Sequence, residues 1–147
     1  MKNNFMSISF AALSENVSFA RVVVAAFVSQ VDPSMQVLTD LQTVVSEAVT
    51  NAIVHGYENR PDGVITITAK LIGDTVELTI EDQGVGIEDV EKAREPLFTT
   101  KPDKEHSGMG FTIMESFVND LQVETSVGKG TKIRLVKTLH ANEAMYN

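Results

Sequence analysis

Two stretches, Val64 to Ile72 and Thr75 to Ile80, read as strands and are separated only by Gly73-Asp74; no other feature limits the fold as much. Alternation of apolar and polar residues gives a strand one buried face, and a two-residue connection containing glycine predicts a tight hairpin, hence antiparallel neighbours. A sheet with one apolar face must be covered, and the flanking sequence supplies helices to cover it.

Met6, Ile8 and Phe10 alternate with Ser7 and Ser9 and predict an opening strand. Ser14 is placed to cap a helix through SENVSFARVVVAAFVSQ, and Asp32-Pro33 offers an N-cap with proline at the first helical position. In the helix that follows, Leu38, Leu41, Val45, Ala48 and Ala52 fall at three- and four-residue steps, and Gly56 is placed as a left-handed terminator, which ends the helix near His55. FTIMESFVND predicts a further helix, and LQVETS and TKIRLVKT predict strands around the turn VGKG. Residues 83–110 are rich in glycine, proline, threonine and charge, with a short helix near Glu88 to Arg94, and read as a lid. The final ANEAMYN reads as a frayed end. The expected architecture is an α/β two-layer sandwich, a mixed sheet with helices on one face, with residues 1–147 forming a single domain of a size that buries about 68–70% of its unfolded surface.

Composition removes several classes of function. A formal charge of -8 is an unfavourable field for phosphate backbones, so direct nucleic-acid binding is not expected. No cysteine is present, which excludes a thiol nucleophile and a cysteine zinc site. The start of the chain alternates instead of forming a signal-peptide core, and the run Val22 to Val28 is far shorter than the ~20 residues of a membrane span, so a cytoplasmic protein without a membrane partner is expected.

Four groups of residues can carry chemistry. In EAVTNAIVHGY, Glu47, Asn51 and His55 recur every fourth residue and share one stripe of the second helix. An Asn amide oxygen suits a hard cation that keeps its water and phosphate ligands, and a carboxylate one turn away can take a proton from a hydroxyl. In TIEDQGVGI, a strand delivers Asp82 into a loop with Gly84 and Gly86; the carboxylate can accept a hydrogen bond from an exocyclic amine, and the glycines let a ligand approach the backbone. In TTKPDKEHSGMGF, Gly108 and Gly110 precede a helix whose free amides attract phosphate, with Thr99, Thr100 and Lys101 as added donors. Last, Thr131 follows Gly130 at the start of the final strand, where its hydroxyl can reach a base or a water beside Asp82. Each group alone also has a purely structural reading: in order, a solvated helix face, a turn after a strand, an entry turn before a helix and a strand start.

Their conjunction in this order resembles the GHKL ATPase and kinase superfamily, and SEAVTNAIVHGY, EDQGVGI, EPLFTTKP and SGMGFTIMESF are similar to its anti-sigma serine-kinase branch, over nearly the whole chain. The resemblance implies a Bergerat fold that binds ATP or ADP with Mg2+. It implies Asn51 as the metal ligand, Glu47 as catalytic base and Asp82 as adenine acceptor, with Gly84 and Gly86 shaping the base pocket. Thr99, Thr100, Lys101, Ser107, Gly108, Met109 and Gly110 match lid and phosphate positions, and Thr131 matches a late pocket threonine. The implied partners are a sporulation sigma factor of the F type, kept from RNA polymerase by a homodimer, and an anti-anti-sigma protein phosphorylated on serine. An arginine at the place of Arg21 contacts both partners in that branch, although physics alone reads Arg21 as a snorkelling surface residue. Glu105-His106 stands where the branch carries a Glu-Arg pair, so a titratable ring replaces a permanent charge. His55 and His140 read as structural or surface residues.

Three other readings compete. A catalytic fragment of a sensor histidine kinase would need a helical phosphoacceptor domain, for which the sequence shows no upstream segment. A stress-response anti-sigma kinase would share the pocket, and a nucleotide-sensing sigma-binding module would keep the pocket without transfer.

Overall fold

The structure, a computed structural model, describes residues 3–94 and 110–140. Its elements in chain order are β1 (Asn4–Ala11), α1 (Glu15–Val28), α2 (Met35–Asn51), β2 (Val64–Ile72), β3 (Thr75–Asp82), α3 (Val90–Ala93), α4 (Gly110–Phe117), β4 (Asp120–Ser126) and β5 (Gly130–Thr138). The strands form one sheet in the order β1-β2-β3-β5-β4, with β3 in the middle. The hairpin expected at Gly73-Asp74 is present, with Gly73 at φ 60° and Ile72 opposite Thr75.

Alternation decides which side chains enter the core. Ile65, Ile67, Ala69 and Leu71 on β2, Val76, Leu78 and Ile80 on β3, and Ile133 and Leu135 on β5 are all buried. They meet Leu41, Val44, Val45, Ala48 and Val49 of α2 in one hydrophobic cluster. α2 packs between α1 and α4. The inward row of β5 continues into Lys137, whose ammonium lies 3.8 Å from the Asp40 carboxylate of α2 and donates to the Phe117 carbonyl at the end of α4. This buried charge ties the sheet to two helices; burial pushes the Lys137 pKa down, and Asp40 opposes that shift.

Three details differ from the sequence reading. All four strand pairings are antiparallel, where a mixed sheet is expected. The two helices between β1 and β2, both expected from the sequence, return the chain in the opposite direction. β5 then inserts between β3 and β4, which keeps that crossover pair from touching. The cap of α2 is Ser34, whose side chain accepts from the Val37 N–H at 3.2 Å; Asp32 instead ends a 3-10 turn in the left-handed region. Finally, α2 gives way to a π-helical turn over Ala52–Gly56, and the positive φ angles after it belong to Glu58 and Asn59, not to Gly56.

His140 closes the end of β5 against two other elements. One ring nitrogen contacts the Asp74 carboxylate of the β2–β3 turn, and the other lies 3.0 Å from the Asp32 carbonyl. Both partners accept, so the ring satisfies both only as imidazolium. Its pKa is raised above the ordinary 6.5, chiefly by the hydrogen bond to Asp74 and next by Asp32. A folded pKa above the unfolded one means a contribution present in full below the unfolded value and lost as pH rises through the folded value. The urea midpoint is therefore expected to fall between about pH 6 and pH 8 more for the parent chain than for His140→Ala, by a small amount because the pair is exposed. Equal slopes in the two proteins would remove the role given to this contact.

Candidate functional site

The inward rows of two neighbouring strands end in polar residues. On β3 the series Val76, Leu78, Ile80 continues to Asp82; on β5 the series Leu135, Ile133 continues to Thr131; the two stand opposite each other in register. Both are buried, at 6% and 7% exposure. Asp82 accepts the N–H of Gly84 at 2.9 Å. Burial pushes its carboxyl pKa up; the backbone N–H groups of Gly84 and Thr131 pull the other way.

A cavity of about 930 Å³ opens above this floor, lined among others by Asn51, His55, Asp82, Gly86, Gly110 and Thr131. Its size lies within the usual range for a small-molecule site. At the other end of the cavity, α4 begins at Gly110 against α2. A Cβ at Gly110 would lie 3.1 Å and 3.3 Å from the Asn51 amide and 3.5 Å from the Glu47 carboxylate. The amide and carboxylate one turn apart on α2 therefore face the start of α4, where glycine leaves them room. Those hard oxygen donors fit a divalent cation that retains water and phosphate oxygens.

The glycine loop is fixed to its neighbours by backbone contacts. The π-helical turn presents the Gly56 carbonyl to the Val85 N–H at 2.8 Å, and the Val85 carbonyl accepts from Gly128 at 2.7 Å. Gly84 sits so close that an added Cβ would lie 1.9 Å from the Gly56 oxygen, and Gly86, at φ 78°, would meet the Ser126 oxygen at 2.3 Å. Gly84→Ala is accordingly expected to destabilise the fold by about 2–3 kcal/mol, because backbone presses on backbone and no rotamer relieves it. Chemical denaturation measures this; a midpoint unchanged from the parent would show that the loop relaxes freely.

Of the predicted residues, Asn51, Asp82, Gly86, Gly110 and Thr131 line one cavity. Glu47 reaches it beside Gly110, and Gly84 lies behind its wall. Arg21 is elsewhere, half-buried on α1 with its guanidinium donating to Ser46 at 3.3 Å and Ser18 at 3.1 Å. Thr99, Thr100, Lys101, His106, Ser107, Gly108 and Met109 lie outside the described residues.

A family model described as a histidine kinase-like ATPase domain matches residues 10–137. A protein of Anoxybacillus flavithermus named anti-sigma F factor is 58% identical over 144 residues, which cover 98% of this chain and 99% of that relative. One of the same name from Bacillus licheniformis is 58% identical over 147 residues, covering all of both chains. The chain belongs to the anti-sigma F factor family. Membership in this ATPase group implies that the family member described here binds nucleotide. Two solved structures share its fold: the RsbU and RsbW domains of a Mycobacterium tuberculosis protein, with TM-score 0.66 and 19% identity over 92% of this chain and 32% of that one, and the catalytic domain of the histidine kinase ThkA, with TM-score 0.59 and 19% identity over 93% and 97%.

Several site residues escape the sequence reading. Gly56 is read as a helix terminator, yet what demands glycine is the Asp82 carboxyl, 2.9 Å from where its Cβ would stand. The Tyr57 hydroxyl donates to the Val64 carbonyl at 2.6 Å and accepts from the Gln83 N–H at 2.7 Å, joining the end of the helical segment to the start of β2 and the end of β3. The pair Gly-Tyr directly after His55 is the only local signal of this packing. Thr125 gives no signal at all.

Proposed function

We propose that this chain is an anti-sigma factor and protein-serine kinase: it binds Mg-ATP in the cavity, phosphorylates a serine of an anti-anti-sigma protein, and as a cytoplasmic homodimer withholds a sigma factor of the F type from RNA polymerase. The observation that carries the reading is the joint one at the cavity, where Asn51 and Glu47 face Gly110 while Asp82 occupies the floor. The names of the full-length relatives support the sigma-factor side of it.

On this reading Asp82 accepts from the adenine amine, Thr131 lies beside it, and Gly84 and Gly86 hold the wall against the base. The first amides of α4, from Gly110, present the positive helix end to the phosphates. When bound, Mg2+ would be held by the Asn51 amide oxygen and would supply charge neutralisation on the phosphate oxygens. Glu47 orients the incoming serine hydroxyl and takes its proton; the serine oxygen bonds to the terminal phosphorus as the bond to the bridging oxygen breaks, and ADP leaves. Thr99, Thr100, Lys101, Ser107, Gly108 and Met109, outside the described residues, are assigned to phosphate contacts by the family resemblance alone. Arg21, between the exposed Phe19 and Val22 on α1, serves the protein partners.

The test is incubation with labelled ATP, Mg2+ and a candidate anti-anti-sigma protein. Acid-stable phosphoserine on the candidate is the expected product. Acid-labile phosphohistidine would favour the sensor-kinase reading, and sigma-factor binding without any transfer would leave a nucleotide-sensing module.

A further inference from the structure

The hydroxyl of Thr125, on β4, sits at a junction of three groups. It lies 2.9 Å from the Ile87 N–H, 2.9 Å from the Gly130 carbonyl and 2.9 Å from the Thr131 hydroxyl. An amide N–H only donates and a carbonyl only accepts, whereas a hydroxyl has one proton to give. The Thr125 proton therefore goes to Gly130. All three contacts are then satisfied in one way: Thr131 donates to Thr125. That leaves Thr131 with lone pairs alone for the cavity it lines. Its neighbour across the strand register, Asp82, already accepts backbone N–H groups from Gly84 and Thr131.

We infer that Thr125 is a positioning residue for base selection: by taking up the Thr131 proton it leaves Thr131, like Asp82, an acceptor toward position 6 of the base, which matches the amine of a 6-amino purine and not the oxygen of a 6-oxo purine. Thr125 does not line the cavity and acts only through Thr131. The inference rests on the nucleotide reading proposed above and adds the origin of its selectivity. An acceptor facing the oxygen of a 6-oxo base leaves both unpaired, and sites built this way discriminate strongly.

The experiment compares the affinities of ATP and inosine triphosphate, which carries a carbonyl where ATP carries the amine, by calorimetry. Thr125→Val keeps the shape but leaves the Thr131 proton free to turn toward a carbonyl, so the preference for ATP is expected to fall about tenfold. Thr125→Ser is expected to keep it. Thr131→Val and the double variant are expected to show the same preference as each other, because Thr125 has nothing left to position. Thr125→Ala repeats the test if the valine variant does not fold. A folded variant in which both affinities drop in proportion, with the preference unchanged, overturns the inference and leaves the proposed function standing. Equal binding of both nucleotides by the parent chain overturns it too, and binding of neither would remove the nucleotide reading along with it.

Discussion

Replacing Glu47 by glutamine is expected to slow phosphoryl transfer about 100-fold or more while nucleotide affinity changes by no more than about threefold. The split follows from placement. Glu47 is half-buried on α2, one turn before Asn51, and reaches the site beside Gly110. Glutamine keeps the length and the acceptor oxygen but cannot take a proton from serine. The substrate hydroxyl is then oriented but not deprotonated, so the loss falls on turnover. Single-turnover transfer to the anti-anti-sigma protein, beside calorimetry with ATP, separates the two quantities. Unchanged transfer would mean that another group receives the proton.

The second large effect is expected at the neighbouring amide. Asn51→Ala should abolish the Mg-dependent part of ATP affinity, a loss of about 100-fold, since the alanine offers no oxygen to a hard cation. Gly110, the residue that faces Asn51 at the start of α4, has no side chain to take the place of the missing ligand. Titration of ATP with and without Mg2+ measures it. Equal Mg dependence in parent and variant would sink the metal assignment while leaving the base pocket intact. Together the two variants separate a group that holds the nucleotide from a group that acts on the incoming hydroxyl.

What was legible in the sequence was mostly local. β2 and β3 were readable because the alternation of Ile65, Ile67, Ala69 and Leu71 and the break at Gly73 are signals carried within a few residues. The same alternation, carried to Asp82 and Thr131, marks both as inward-facing. Asp32-Pro33 reads as a cap followed by the first helical residue, yet the cap is Ser34, because Asp32 is consumed by the 3-10 turn that follows α1, a feature no signal around Pro33 carries. The strand directions depend on how many helices intervene and where the last hairpin inserts, which no single segment encodes. Thr125 is the extreme case, since its partners are 38, 5 and 6 residues away and matter only once β4, β5 and the glycine loop meet.

The floor of the cavity is the end of the pairing between β3 and β5, with Asp82 opposite Thr131, and β3 is the middle strand of five. Opening that floor means parting the ends of two strands in the interior of the sheet, so this end of the site is built on the core of the fold. Occupancy and global unfolding are therefore thermodynamically linked: at a free nucleotide concentration 100 times the dissociation constant, mass action adds about 2.7 kcal/mol to the stability of the whole chain. A melting curve then serves as a direct gauge of how full the molecule is.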